Sequence, residues 1–97
     1  MMIEERSEMH YGPRERIQHL GESRLSDAEC LALVLRVGGR GESAEQLGQR
    51  LLRHFGGLDR LAAAELGEVM QVPGLGPAGA AALSAAFGLS RRLSEGD

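Results

Sequence analysis

The sequence predicts an all-α fold, a small bundle of five to six short helices, and three observations support this prediction. Apolar residues recur at helical spacing in several segments, and no segment alternates as a strand does. Hydrophobic residues make up 42% of the 97 residues, with two Phe, one Tyr and no Trp, so Leu, Ala and Val must form the core. Residues that start and end helices bracket the apolar segments. The length suits one small domain.

Two helices are predicted in the first part of the chain. Residues 13–20 begin with a proline, which suits the first helical position, and are followed by a glycine. A second helix begins after Ser26, which has the spacing to form a capping box with Glu29. Because residues 31–37 are apolar apart from one arginine, we expect this helix to be central and to end at Gly38.

The clearest amphipathic segment is "SAEQLGQRLLRHFGG", residues 43–57. Its apolar residues recur at helical spacing, and polar residues occupy the other face. Leu51 and Phe55 belong to the apolar face, so both are expected to be buried against the central helix. Ser43 is the expected N-cap, and Gly56 is expected to end the helix.

The rest of the chain completes the predicted domain. "LDRLAAAE" and "ELGEVMQV" predict two short helices, and a last helix is expected to run from Pro77 to about Leu93. Residues 1–12 lack periodicity and are expected to form a flexible N-terminal tail, with 94–97 as a C-terminal tail. The predicted helical domain is therefore 13–93.

Composition and cysteine usage bear on location and cofactors. The formal net charge is −3, so the chain as a whole does not attract nucleic acid or an anionic membrane. No apolar run approaches the roughly 20 residues of a membrane span, and the acidic N-terminus does not resemble a signal peptide. With a single cysteine, Cys30, a cytoplasmic protein without disulfides is expected. His10, His19 and His54 are scattered, so no metal site or other cofactor is predicted.

No enzyme is predicted. Ser26 and Ser43 have the positions of helix caps, and Cys30 lies in an apolar helical run that favours an inert, buried thiol. The acidic residues are spread over solvated faces. A nucleophile, a base and a group that orients the base cannot be assembled from these residues.

The segment "VPGLGPAGAAAL", residues 72–83, contains no charge. Gly74 and Gly76 allow a sharp turn between two helices, and small residues after it allow close helix packing. The same turn leaves unpaired backbone N–H groups at a helix N-terminus, which is a phosphate-sized anion site. Both interpretations explain the absence of charge, so the segment alone does not choose between a structural turn and a binding turn.

A faint internal repeat has an offset of 35 residues. It aligns residues 33–44 with residues 68–79 and places the glycines of "GGRGES" on those of "PGLGPA". Each half would then be a helix, a glycine-containing hairpin and a second helix. Chance similarity remains the alternative, because the match is short.

The second hairpin resembles the helix-hairpin-helix motif, with Val72, Gly74, Leu75, Gly76 and Ala80 at the motif positions and the motif spanning 66–90. This resemblance implies that hairpin amides hold a DNA phosphate without reading sequence. It also implies a tandem arrangement whose first hairpin is degenerate, because Arg40 replaces the apolar residue. The implied phosphate-binding residues are Gly74, Leu75, Gly76, Ala78 and Gly79, with Arg40 as an accessory residue.

A narrower resemblance covers about Gly12 to Leu93. "PRER", "LSDAE" and "FGGL", together with the hairpin and "AAFGLSRRL", resemble the N-terminal domain of the RadC family. Proteins of that family continue into a JAMM-type metalloprotease-like domain, to which none of these 97 residues corresponds. The resemblance implies the N-terminal module of a protein associated with DNA repair.

Two functions remain open at this point. The first is weak, non-sequence-specific binding to DNA, including branched or damaged DNA. The second is a protein-interaction or scaffold domain, whose partner would be a C-terminal domain of the parent protein or another protein. DNA-binding hairpins often carry a base where this chain has Ala78 and Gly79. The nearest bases on that helix, Arg91 and Arg92, lie roughly 20 Å further along it, so any binding is expected to be weak.

Overall fold

The computed structural model describes residues 12–95, and over these residues the prediction of an all-helical fold is confirmed, with no strand. A short 3₁₀ turn, Glu22–Arg24, lies between the first two helices. Residues 1–11, most of the predicted N-terminal tail, lie outside the described residues. Within residues 12–95 the α-helices are α1 Pro13–Leu20, α2 Asp27–Leu35, α3 Ala44–Phe55, α4 Leu58–Ala63, α5 Leu66–Met70 and α6 Pro77–Glu95.

Helix α2 is central, as predicted, but it ends earlier than the sequence suggested. The last helical residue is Leu35, and Arg36 takes a positive φ of 73° while its N–H donates to the Ala32 carbonyl. Val37, expected inside the helix, is 73% exposed. In the loop that follows, a Cβ at Gly38 would overlap the backbone of Glu42 and Ser43, so only glycine fits this close approach. Tertiary packing of that loop outweighs the apolar pattern of residues 31–37.

Helices α2 and α3 both begin with capping boxes. The Glu29 N–H donates to Ser26 Oγ at 3.1 Å, and the Ser26 N–H donates to Glu29 Oε1 at 2.9 Å. Ser43 and Gln46 form the same reciprocal pair with the same two distances. Each box satisfies two backbone groups that the helix start leaves without partners. Both predicted caps are therefore confirmed.

The core lies between α3, α2 and the start of α6. Leu51 is fully buried, as predicted. Phe55 packs against the core but is only partly buried, and the edge of its ring meets the His54 ring at a centroid distance of 4.7 Å. The prediction that both side chains are buried is confirmed for Leu51, whereas Phe55, in the last turn of α3, is only partly buried. The remaining buried core residues are Leu31, Leu35, Leu47, Leu61, Val69, Val72, Leu75, Ala80 and Leu83.

Glycines allow two close contacts between packed elements. A Cβ at Gly48 of α3 would lie 2.9 Å from the Ala28 carbonyl oxygen of α2, so a side chain there would force these helices apart. A Cβ at Gly79 of α6 would lie 2.8 Å from Leu75 Cδ1 and 3.3 Å from Leu35 Cδ2. These contacts hold the start of α6, and the turn before it, against the end of α2.

Candidate nucleic-acid interface

Residues 71–76 form the turn between α5 and α6, here called the second hairpin. Two backbone hydrogen bonds of 3.2 Å tighten it, from the Val72 N–H to the Val69 carbonyl and from the Leu75 N–H to the Val72 carbonyl. The side chains of Val72 and Leu75 are both buried in the core. The charge-free turn is therefore anchored to the core by apolar contacts.

The two glycines of this hairpin have different roles. Gly74 has a φ of 88°, which side-chain-bearing residues rarely adopt. Gly76 does not have a positive φ, so only one of the two glycines uses the left-handed conformation that glycine permits. The Gly76 carbonyl accepts the Ala80 N–H at 3.0 Å, and this glycine acts as the N-cap of α6.

Unpaired backbone amides collect at this turn. The N–H groups of Gly74, Gly76, Ala78 and Gly79 have no hydrogen-bond acceptor within residues 12–95. Gly74, Gly76 and Ala78 are exposed, and Gly79 is half-buried. Gly74 and Gly76 precede α6, a helix of 19 residues, and Ala78 and Gly79 lie in its first turn, where the helix dipole places partial positive charge. Leu75 differs from the other predicted site residues, because its amide already donates within the turn.

Arg50 of α3 lies against this hairpin, a contact that sequence reasoning missed. Its Nη2 donates to the Pro73 carbonyl at 2.5 Å and to Glu42 Oε1 at 3.0 Å, and its Nε donates to Glu42 Oε2 at 2.9 Å. A Cβ at Gly74 would lie 2.6 Å from Nη2. The bidentate pair thus ties the loop before α3 to the turn before α6.

The Glu42–Arg50 pair also sets the charge beside the hairpin. The hydrogen bonds from Arg50 lower the pKa of the Glu42 carboxyl, and the positive charges of Arg50 and Arg53 act in the same direction. The same hydrogen bonds raise the pKa of Arg50. The pair therefore stays ionised at neutral pH and separates only as the pH falls through the lowered pKa of Glu42. No sequence signal marks this pair, because only the loop conformation brings residues eight positions apart together.

The loop before α3, residues 36–43, is the first hairpin. The first hairpin lies against the second hairpin. A Cβ added at Gly39 would lie only 3.3 Å from the Cα atom of Gly74. Among the glycines, the positive φ falls at Gly41 in the first hairpin and at Gly74 in the second, and these positions do not align under the 35-residue offset. Both halves are helix–turn–helix units, but their turns differ in geometry. Arg40, the predicted accessory residue, is exposed on the first hairpin.

The other candidate residues lie away from this site. Cys30 is half-buried, and its pKa is raised by burial first and then by neighbouring acidic side chains, so the thiol stays protonated. Arg91 donates to the Ala62 carbonyl at 3.1 Å, far along α6 from the hairpin.

Among residues 12–95 no group of three or more His, Cys, Asp or Glu side chains could hold a metal ion. The same part of the chain contains no helix long and apolar enough to cross a bilayer.

These features define a class of protein: a small all-α domain in which two helix–turn–helix units place their turns side by side. Residues 5–81 match the family described as UPF0758 N-terminal, and the chain belongs to this family.

Relatives of this family are considerably longer than the chain. It is 46% identical over 84 residues to a UPF0758 protein of Shewanella loihica, covering 87% of this chain and 37% of that protein. Over 86 residues it is 49% identical to a UPF0758 protein of Bordetella petrii, covering 89% and 38%. Over 85 residues it is 51% identical to one of Bordetella pertussis, covering 88% and 38%. The chain thus spans less than two fifths of these relatives. No solved structure matches it.

Proposed function

We propose that this domain is a non-enzymatic, weak and non-sequence-specific DNA-binding module, whose second hairpin holds a backbone phosphate. The observation that carries the proposal is the set of unpaired amides of Gly74, Gly76, Ala78 and Gly79 at the start of a long helix. Backbone N–H groups at such a position favour an anion without needing a charged side chain. Leu75 contributes by anchoring the turn, since its own amide is engaged.

The resemblance to the helix-hairpin-helix motif and to the RadC N-terminal domain also supports DNA binding. It would make the domain part of a cytoplasmic protein associated with DNA repair, acting on DNA that includes branched or damaged forms. A single phosphate clamp made of amides has no means to read base edges, so sequence should not affect affinity. Duplex length should affect it, because a longer duplex offers more equivalent phosphates.

Binding by this module is expected to be weak. The net charge is −3, and the arginine nearest the hairpin, Arg50, is paired with Glu42. Cations supply most non-specific affinity for DNA, so we expect a Kd of about 10⁻⁴ M or higher at physiological salt. With about one to three phosphates neutralised, log affinity should fall gently with log salt, by about 0.9 per phosphate.

Titration with short duplex DNA at low salt tests the proposal. Backbone amide shifts in a ¹H–¹⁵N spectrum should change at residues 74–79 and less elsewhere in the second half of the chain. The variant Ala78→Lys should tighten binding and steepen the salt dependence, because it adds a cation in the first turn of α6. Ala85→Lys is the matched control, since this exposed residue lies on nearly the same face of α6 about 10 Å further along.

Two results would contradict the proposal. One is the absence of shift changes at residues 74–79 even at millimolar DNA. The other is an equal gain in affinity from Ala78→Lys and Ala85→Lys, which would indicate general attraction rather than a clamp at the hairpin.

A scaffold function is the second candidate, and exposed apolar residues on α6 favour it. Leu89 and Leu93 are 59% and 77% exposed and lie one helical turn apart. A partner protein that covers them would explain this exposure. Its test is the addition of the remaining part of a full-length relative to the labelled domain. Shift changes at Leu89 and Leu93, with none at the hairpin on adding DNA, would favour the scaffold.

A further inference from the structure

An open groove of about 510 Å³ runs along the polar face of α3 beside the first hairpin. We call it the arginine groove. The resemblance gives Arg40 an accessory role in phosphate binding, but neither it nor the family assigns a role to Arg53 or to the groove as a whole. It is lined by Arg40, Gly41, Glu42, Gln46, Gln49 and Arg53.

The lining of the arginine groove consists mainly of hydrogen-bond donors. The side chains of Arg40 and Arg53 are exposed, and neither forms an ion pair or a hydrogen bond within residues 12–95. Gln46 uses its Oε1 to accept the Ser43 N–H, which leaves its side-chain NH₂ as a donor. The one carboxylate, Glu42, has both oxygens engaged by Arg50. The groove therefore attracts anions, although the chain as a whole is acidic.

The arginine groove adjoins the second hairpin through shared residues. Glu42 lines the groove, and its Oε1 lies 3.6 Å from the position that a Cβ at Gly74 would take. Its partner Arg50 donates to the Pro73 carbonyl. A ligand that contacts both the arginine groove and the second hairpin would therefore pass over the Glu42–Arg50 pair.

We propose that the arginine groove binds a second phosphate of the same DNA, through the guanidinium groups of Arg40 and Arg53, while Glu42 limits the affinity. The planar guanidinium fork matches the geometry of phosphate oxygens. The first hairpin, whose glycine pattern is degenerate, would then bind phosphate through side chains, whereas the second hairpin binds phosphate through backbone amides. This inference rests on the proposed function, since it extends the footprint of the same DNA.

The double variant Arg40→Gln/Arg53→Gln tests the groove. We expect it to weaken binding of a short duplex about three- to tenfold at low salt and to reduce the salt slope by about 1 to 2. The control Arg24→Gln/Arg92→Gln removes the same charge from two exposed arginines outside the groove and should have a clearly smaller effect. Unchanged melting temperatures of both variants would show that folding is intact. Equal losses in the two double variants would overturn the inference.

Glu42→Gln tests the limiting role of the carboxylate and separates it from a purely structural one. Removing the negative charge should tighten binding about three- to fivefold, because Arg50 then carries an uncompensated charge beside both contacts. If the pair only braces the hairpin, the same variant should weaken binding. Glu45→Gln is the matched control, since Glu45 is close in the chain but lines a different groove, next to α1. An equal gain in both variants, or a loss in Glu42→Gln, would refute the limiting role.

Amide shifts distinguish failure of this inference from failure of the proposed function. Changes at residues 74–79 together with residues 40–53 support both. Changes at residues 74–79 alone keep the proposed function and overturn the groove. Changes at residues 40–53 alone keep the groove as a DNA contact and overturn the hairpin clamp. No change in either region overturns both.

Discussion

Leu51→Ala is expected to lower the free energy of unfolding by about 2–5 kcal/mol. Leu51 is fully buried at the centre of the core, where α3 packs on α2 and the other core leucines surround it. The truncation removes apolar contacts and leaves a cavity that the surrounding helices can fill only partly. Because small domains are stable by only about 5–15 kcal/mol, this loss would be a large share of the total.

Urea denaturation followed by circular dichroism at 222 nm measures this loss. Leu93→Ala is the control, since Leu93 is mostly exposed on α6 and should change stability by less than about 0.5 kcal/mol. Phe55→Ala should fall between the two, because part of the ring is already in contact with solvent. A Leu51→Ala protein with the midpoint and slope of the parent would mean that α3 does not pack as described.

Gly48→Ala is expected to destabilise the domain by about 1–3 kcal/mol, although alanine is the better helix former. The added Cβ would lie 2.9 Å from the Ala28 carbonyl oxygen and 3.2 Å from Leu31 Cβ, both on the facing helix α2. Neither group can move without shifting the helix that carries it. Steric overlap should therefore outweigh the gain in helix propensity.

Gly88→Ala is the matched control, because Gly88 also lies inside a helix but has open space around its missing Cβ. It should stabilise the domain by about 0.5–1 kcal/mol through helix propensity alone. The two substitutions are chemically identical, so opposite signs of the change in unfolding free energy would isolate the contact between α2 and α3. If both variants are more stable than the parent, the helices are further apart than the structure indicates.

Local patterns in the sequence were sufficient to predict the helical class and most element boundaries. The caps at Ser26 and Ser43 and the helix-ending Gly56 act through hydrogen bonds to residues within about one turn, and Pro13 acts through its fixed φ at the helix start. The end of α2 was mispredicted, because the apolar pattern continues to Val37 while Gly38 has to meet the backbone of the following loop.

Some features of the candidate site also follow from local sequence, whereas others depend on how the helices pack. The sequence alone determined the charge-free second hairpin, its buried Leu75 and the start of α6 at Pro77, because these follow from glycine, proline and apolar spacing. Tertiary structure alone decided that Gly74, and not Gly76, takes the positive φ, and that Arg50 reaches across to the Pro73 carbonyl. It also placed the two hairpins side by side, since contacts between residues more than 20 positions apart arise only when the helices pack.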